Sequence, residues 1–457
     1  MSGQNDLRTG VLWKQILIFA LPLAATSMLQ QLFNAADLAI VGKFSGSQAL
    51  AAVGATGSIV NLIVTFFSCT SVGANVLISR FIGAREDINA RKSVHSTLIL
   101  ALVLGGIMTV VGQFAALPLL KMISTPVDVL DQALLYIRIY IGGCLFISLY
   151  NFQSAIMRAN GDTKRPLYCL IFSGGLNVAL NLLFVVMFHM SVVGVALATV
   201  IANAVGALLL FILLRKETSI VHVDLNQLKP DGKLIKQILR YGIPAAIQGM
   251  MFTAANVIVE SAINSFGAEG IGGSTISLNA EFLAYYLMNS FGQACVTFNG
   301  QNYGAGNLKR CREATRWCLI LGGISGELFS IILYIFRYEF AAFHTIDPMI
   351  VYFGVLRMEI LMFFEIFNAI GEIMSGALRG LGYAIVPTVL SVLFVCGVRV
   401  FWVLQVFPAA PTYERLVWVY PISWIGIAVS TFIAYVIINK KYLKSYKGVI
   451  HHGKKTT

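Results

Sequence analysis

Asp37 is an acid inside an otherwise apolar run, on one helical face with Asn34 three residues earlier and Gln30 seven earlier. An Asp within a membrane span costs about 2.5–3.5 kcal/mol by insertion scales, so such a residue usually faces a bundle interior and binds or moves something. Two later runs carry partners for it. Ser173, Asn177 and Asn181 recur every four residues, and Thr199 and Asn203 do the same, which lays each set along one helix face. Asn181 lies eight residues before His189 and Thr199 eight after Ser191. At 1.5 Å per residue both then sit roughly 12 Å below the same surface, at a depth Asp37 can share. A carboxylate, two amides and a hydroxyl are hard oxygen donors, suited to sodium or to hydrogen-bonding a protonated Asp. A neutral Asp that only ties helices together is the plainer alternative.

A second set lies in the other half of the chain. Asn256, Glu260 and Asn264 follow four-residue spacing, and Glu365, Asn368 and Glu372 line one helical face. Glu281 and Glu327 fall in the middle of apolar runs, where a protonated structural Glu and a substrate contact are both open. Arg138, Arg357 and Arg399 are expected to pair with Asp131, Glu359 or Glu365, and Arg240 to snorkel to a surface. Gln30, Phe33, Tyr136, Tyr140, Met250, Glu281 and Tyr285 are candidates for lining a cavity, because aromatic faces attract organic cations and Met adapts its shape. Most aromatic and Met side chains in such runs simply pack.

The elements that must position these groups are membrane spans. Only 12% of the 457 residues are charged, against roughly 25% in soluble domains. Twelve near-continuous apolar runs, from about 16–41 to about 416–438, are each long enough to cross a bilayer. No small-residue cleavage pattern follows the first, so no cleavable signal peptide is expected. The net charge of +12 suggests nucleic acid until the positions are read. Arg80, Arg85, Arg91, Lys92, Arg158, Lys164, Arg165, the 215–236 segment, 309–316 and the tail all fall on one side, whereas the opposite loops hold only Lys43, Lys121, Arg337 and Arg415. The positive-inside rule places both termini in the cytoplasm, with an even number of spans.

The chain also repeats itself about 222 residues on. Lys14-Gln15-Ile16-Leu17 returns as Lys236-Gln237-Ile238-Leu239 and Pro22 as Pro244, and slightly later Gly83-Ala84 returns as Gly304-Ala305 and Arg158 as Arg379. Six spans per half make the two repeats parallel, with a shared pathway between them. The expected organisation is an N-terminal lobe at 1–214, a linker at 215–235, a C-terminal lobe at 236–438 and a basic tail at 439–457. Pro22 and Pro244 free backbone groups and are expected to bend the first and seventh helices.

Arg80-Phe81-Ile82-Gly83-Ala84-Arg85 and Gly300-Gln301-Asn302-Tyr303-Gly304-Ala305-Gly306, with Arg158–Pro166 and Ala377–Gly382, resemble the paired loop motifs of the multidrug and toxic compound extrusion (MATE) family. The likeness runs from about residue 13 to 438 and keeps motif order in both halves. It implies an all-α integral membrane protein of twelve helices in two pseudo-symmetric six-helix lobes, a secondary-active efflux transporter of hydrophobic or cationic organic compounds in exchange for sodium or protons by alternating access. In the family an Asp at the Asp37 position, with partners matching Asn177, Asn181 and Thr199, forms the N-lobe cation site. Many relatives have a second Asp where this chain has Asn181. One carboxylate lacks the like-charge neighbour that raises a proton affinity, so sodium at Asp37 is favoured. Some relatives place a coupling acid at Glu260 and an Asp at the position of Asn368, and here Glu365 or Glu372 could substitute for the latter.

Further expectations are no cofactor beyond the coupling ion, a small organic substrate, a lipid bilayer, no nucleic acid, a monomer, and a prokaryotic plasma membrane. The alternative is a flippase or exporter of a lipid-linked saccharide or endogenous metabolite, which would carry more cationic residues facing its cavity. An integral-membrane enzyme would need a metal or nucleophile cluster, and six scattered His and seven Cys without a CxxC pair supply none.

Overall fold

A chain this apolar must satisfy its backbone internally, because lipid offers no hydrogen bonds. A computed structural model describes residues 6–453, with side chains described through Lys440, and they are helical with no strand among the described residues. The basic tail expected at 439–457 therefore lies largely outside the described side chains. In order the helices are α1 (Leu12–Phe44), α2 (Gly46–Ala84), α3 (Asp87–Met122), α4 (Val127–Gly142), α5 (Cys144–Ala159), α6 (Lys164–Asn181) and α7 (Ser191–Lys216). There follow α8 (Gly232–Ile263), α9 (Gly267–Gly304), α10 (Leu308–Ile335), α11 (Arg337–His344), α12 (Pro348–Leu361), α13 (Glu365–Gly380), α14 (Ile385–Ser391), α15 (Val398–Phe401), α16 (Tyr413–Val417) and α17 (Val419–Gly453).

Among the described residues, nine continuous stretches are long and apolar enough to cross a membrane, or ten if α4 and α5, bent by 46°, form one span. One of these stretches, 232–304, is two helices, α8 and α9, joined by a 310 turn at Asn264–Phe266. The twelfth expected span is α12 with α13. It carries Arg357, Glu359, Glu365, Glu372 and Arg379 and is broken by a 310 turn at Met362–Phe364, so it fails a test of length and composition. The fold is the twelve-helix, all-α membrane architecture that the sequence implies.

By packing, the chain separates into two compact units. One holds residues 1–250 with 300–311, and the other holds 251–299 with 312–457. The division thus falls inside α8, α9 and α10, not at the polar linker 215–235 where the sequence repeat divides. The linker itself packs on the first unit: His95 accepts from the Asp224 amide at 3.2 Å and the Ser96 hydroxyl from the Asp231 amide at 3.0 Å.

The repeat is visible in local geometry. Helix α5 ends with Gly161 at φ +83° and α13 with Gly382 at φ +84°, left-handed conformations that suit glycine. Each closes a Schellman turn, with Asp162 N–H donating to Met157 O at 3.0 Å and Tyr383 N–H to Leu378 O at 2.8 Å. A π-helical segment, Leu182–Met187, continues α6, and others, Val392–Gly397 and Trp402–Val406, follow α14 and α15. Pro22 and Pro244 lie within the continuous helices α1 and α8. The Pro22 carbonyl accepts from the Thr26 hydroxyl at 2.7 Å.

At the basic-loop end of the first unit the repeated motifs touch each other. A β-carbon on Gly83 would lie 1.9 Å from Gln301 O, and one on Gly304 would lie 2.1 Å from Arg80 O, so α2 and the end of α9 cross backbone to backbone. Arg80 lies over the Tyr303 ring at 4.5 Å. Residues 7–10 strap this crossing, since Arg310 donates to Thr9 O at 2.7 Å and Gly10 O at 3.0 Å, and Asn302 to Leu7 O at 3.2 Å. Because the obstacles are backbone atoms, Gly304→Val is expected to cost about 1–3 kcal/mol, read as a lowered thermal midpoint in detergent. Gly175→Ala, with nothing within 4 Å, serves as the control. Equal midpoints for the two variants would refute the crossing.

Two ion pairs at the same end set an acid limit. The Arg8 hydrogen bond holds the Asp6 carboxyl below its usual range. Burial pushes the Glu217 carboxyl up, but the hydrogen bond and charge of Arg165 outweigh it, and the net shift is downward. Carboxyls lowered in the folded state add stability that is present above their ordinary values and is lost as pH falls through the folded ones. The thermal midpoint is therefore expected to hold flat above about pH 5 and to fall progressively below about pH 4. Glu217→Gln should make that fall shallower, and a midpoint indifferent to acid would remove these pairs from the account.

Candidate functional site

In the first unit the sequence pattern closes into one cluster. Helix α1 contributes Asp37, α6 contributes Asn177 and Asn181, and α7 contributes Thr199. Asn181 Nδ2 donates to Asp37 Oδ1 at 2.5 Å and to Asn177 Oδ1 at 3.1 Å. Asn177 Nδ2 donates to the Thr199 hydroxyl at 3.3 Å. Asp37, Asn177 and Asn181 are all buried. The π-helical segment begins immediately after Asn181, and such insertions often mark functional positions because they free a carbonyl and rotate the residues that follow.

Two features leave room for a bound cation or proton. The Thr199 hydroxyl has one proton and two acceptors, Val195 O at 2.9 Å and Asp37 Oδ2 at 3.4 Å. When the nearer carbonyl takes the proton, two oxygens face each other across 3.4 Å, an arrangement that a positive charge between them relieves. Asn181 Oδ1 is buried without a hydrogen-bond partner. Oxygens of Asp37, Asn181 and Thr199 could hold a hard monovalent ion. No group of three His, Cys, Asp or Glu suited to a metal occurs among the described residues.

Other candidates on α1 do not join this network. Asn34 and Gln30 are exposed, one turn and two turns from Asp37. Phe33 packs on α6, where a β-carbon at Gly174 would meet its ring at 1.9 Å. Tyr136 and Tyr140 are buried in the hydrophobic core and stack at 6.3 Å between centroids. Met250 is half-buried, and Tyr285 stacks on Phe252 at 6.5 Å.

The C-terminal candidates separate into distinct contacts. Asn256 accepts a short hydrogen bond from Arg399. Asn368 Nδ2 donates to Glu365 at 2.9 Å, a match made within α13, and Asn289 donates to Glu372 at 3.5 Å. Glu260 is half-buried and Asn264 exposed. No hydrogen bond links Asn256, Glu260, the Glu365–Asn368 pair and Glu372 into one group among the described residues. Helical spacing places them on helix faces but does not set which neighbour each face meets.

The expected arginine pairings are corrected. Arg357 pairs with Glu281, Nε to Oε1 at 2.8 Å and Nη2 to Oε2 at 3.0 Å, and not with Glu359 or Glu365. Glu359, two residues along the helix, points elsewhere and binds Arg337 at 2.8 Å. No carboxylate comes within ion-pair distance of Arg399 or Arg138 among the described residues. Glu281 thus has a structural partner and is no free cavity acid. Glu327 keeps Oε2 buried without a hydrogen-bond partner. Arg240 is exposed, as snorkelling requires. The Glu281–Arg357 pair escaped sequence reasoning because pairing across helices has no fixed spacing; two opposite charges inside apolar runs were its only signal.

The comparisons with known proteins agree with this architecture. The family model described as MatE matches residues 22–183 and 244–403, beginning at Pro22 and at its repeat partner Pro244. The chain is 27% identical over 395 residues to a probable multidrug resistance protein, YoeA, of Bacillus subtilis, covering 85% of each. It is 27% identical over 393 residues to the probable multidrug resistance protein NorM of Thermotoga maritima, covering 84% of each. Among solved structures, the outward-facing conformation of a multidrug resistance MATE family transporter superimposes with a TM-score of 0.90 at 23% identity, covering 97% of this chain and 99% of that one.

Proposed function

The chain belongs to the MatE family, and on that premise we propose that this multidrug-efflux transporter exports hydrophobic organic cations by alternating access in exchange for sodium bound at Asp37. It is a multi-pass membrane transporter, not an enzyme. The observation that carries the sodium reading is the single carboxylate of Asp37 among amide and hydroxyl oxygens, with the facing pair Asp37 Oδ2 and Thr199 Oγ1 at 3.4 Å. A single carboxylate lacks the like-charged neighbour that makes two adjacent carboxyls share a proton, and the surrounding amide and hydroxyl oxygens add ligands for a cation. When a monovalent organic cation leaves as one sodium enters, no net charge crosses, so the sodium concentration gradient supplies the drive, about 1.4 kcal/mol per tenfold gradient. Basic loops on one side support cytoplasmic termini and residence in a prokaryotic plasma membrane, and a monomer suffices for the cycle.

The test is ethidium efflux from proteoliposomes under separately imposed sodium and proton gradients. Efflux driven by sodium alone is the expected result. Efflux driven by protons alone would overturn the sodium assignment, and none under either gradient would overturn ethidium-like export. A second reading, export of an anionic metabolite, is favoured by one observation, the fully buried Arg357 and Arg399 in the second unit.

A further inference from the structure

The second unit buries two arginines around one aromatic ring, and only one of them has a carboxylate partner among the described residues. Arg357 and Arg399 are each 0% exposed, and both guanidinium carbons lie over the same ring, Tyr420, at 4.7 Å and 4.6 Å from its centroid. Arg357 has Glu281 as its carboxylate. Among the described residues Arg399 has only neutral oxygens as partners, Ser423 Oγ at 3.2 Å and Asn256 Oδ1. Around the shared ring four donors are buried without a hydrogen-bond partner: Arg357 Nη1, Arg399 Nη2, the Tyr420 hydroxyl and Trp424 Nε1. The Tyr420 and Trp424 rings are 6.1 Å apart between centroids.

Each unsatisfied buried donor costs on the order of 1–3 kcal/mol, and an uncompensated buried charge costs more. Water could satisfy the donors but would leave the charge. Glu260 and Glu365 lie within electrostatic reach of Arg357, yet among the described residues neither makes an ion pair with either arginine. A compact anion satisfies both demands at once, because it neutralises Arg399 and accepts from the orphaned donors. We propose that the Arg357–Tyr420–Arg399 cluster is a binding site for one compact monovalent anion, either a free halide or the carboxylate end of a transported molecule. The two guanidinium groups supply charge and forked donors suited to a carboxylate, and Glu281 holds Arg357 in place without occupying its Nη1. The site shares no residue with the Asp37 cluster, is built on helices α8, α9, α12, α15 and α17, and does not depend on which cation drives transport.

The experiment is thermal unfolding of the purified full-length chain in detergent, titrated with sodium chloride in one arm and sodium acetate in the other. Sodium and ionic strength are held constant with sodium HEPES, an anion too bulky for a site whose arginines are fully buried. A saturable rise of the midpoint is expected in at least one arm, since a ligand that binds only the folded state stabilises it by mass action. Chloride alone identifies a free-ion site, acetate alone a carboxylate site, and both a general anion site. Arg399→Gln is expected to weaken the apparent affinity about tenfold, the loss of one charge-assisted hydrogen bond. Tyr420→Phe, which removes only the hydroxyl, should weaken it about fivefold and serves if Arg399→Gln does not fold. No rise in either arm for the unsubstituted protein overturns the site. So does a rise that Tyr420→Phe and any folded Arg399→Gln both leave unchanged, because the anion then binds elsewhere.

Discussion

Asp37→Asn is expected to reduce ethidium efflux under a tenfold sodium gradient by about tenfold, the accumulation ratio that one exchanged sodium sustains, while leaving the protein folded. The substitution removes the charge and keeps the shape. An Asn at 37 still accepts from Asn181 Nδ2, as Asp37 does at 2.5 Å. Its own amide can donate to the Thr199 oxygen 3.4 Å away, because that hydroxyl already gives its proton to Val195 O. Stability should therefore hold or rise, since a buried charge disappears. Efflux at the unsubstituted rate with an unchanged midpoint would move coupling out of this cluster and toward Glu260 or Glu365. Asn181→Asp tests the same logic in reverse. It sets a second carboxylate against the first, so the pair shares a proton, and driving force should shift from the sodium gradient toward the proton gradient.

Arg357→Leu should be the most destabilising single change, lowering stability by about 3–5 kcal/mol. The arginine is fully buried and grips Glu281 at 2.8 and 3.0 Å. Without it the Glu281 carboxylate keeps only the Ser277 hydroxyl at 2.9 Å, and a lone buried anion is far costlier than a pair. Removing both charges in Arg357→Leu/Glu281→Leu should recover most of the loss, because a buried pair is often replaceable by apolar side chains of similar volume. The measurement is denaturant or thermal unfolding in detergent of both single variants and the double. If the double variant is as unstable as the sum of the singles, the pair is not what holds these helices.

The legibility of this molecule varies with the kind of interaction. The Asp37 cluster could be read from the chain because each partner announces itself: a polar stripe at four-residue spacing on an apolar helix has no role facing lipid. Depth counting then brought Asn181 and Thr199 level. The arginine pairings were misread for the opposite reason. Glu359 and Glu365 are near Arg357 in sequence, but Glu281, on another helix, is the residue that reaches it. The close crossing of Gly83 and Gly304 was present as a repeat, yet only packing shows that the two copies lie against each other's helix.

By itself the sequence determined the solvent, the secondary structure and the duplication. Long apolar runs must be helices in a bilayer, and a repeat kept from Pro22–Pro244 to Arg158–Arg379 must build two like halves. Tertiary structure alone decided where compact units divide, which buried charges are paired, and that Arg399 has no carboxylate partner among the described residues. Helical periodicity fixes which residues share a face, because that depends on the turn of one helix. Which face meets which depends on the rotation and depth of several helices together, and no spacing along the chain encodes that.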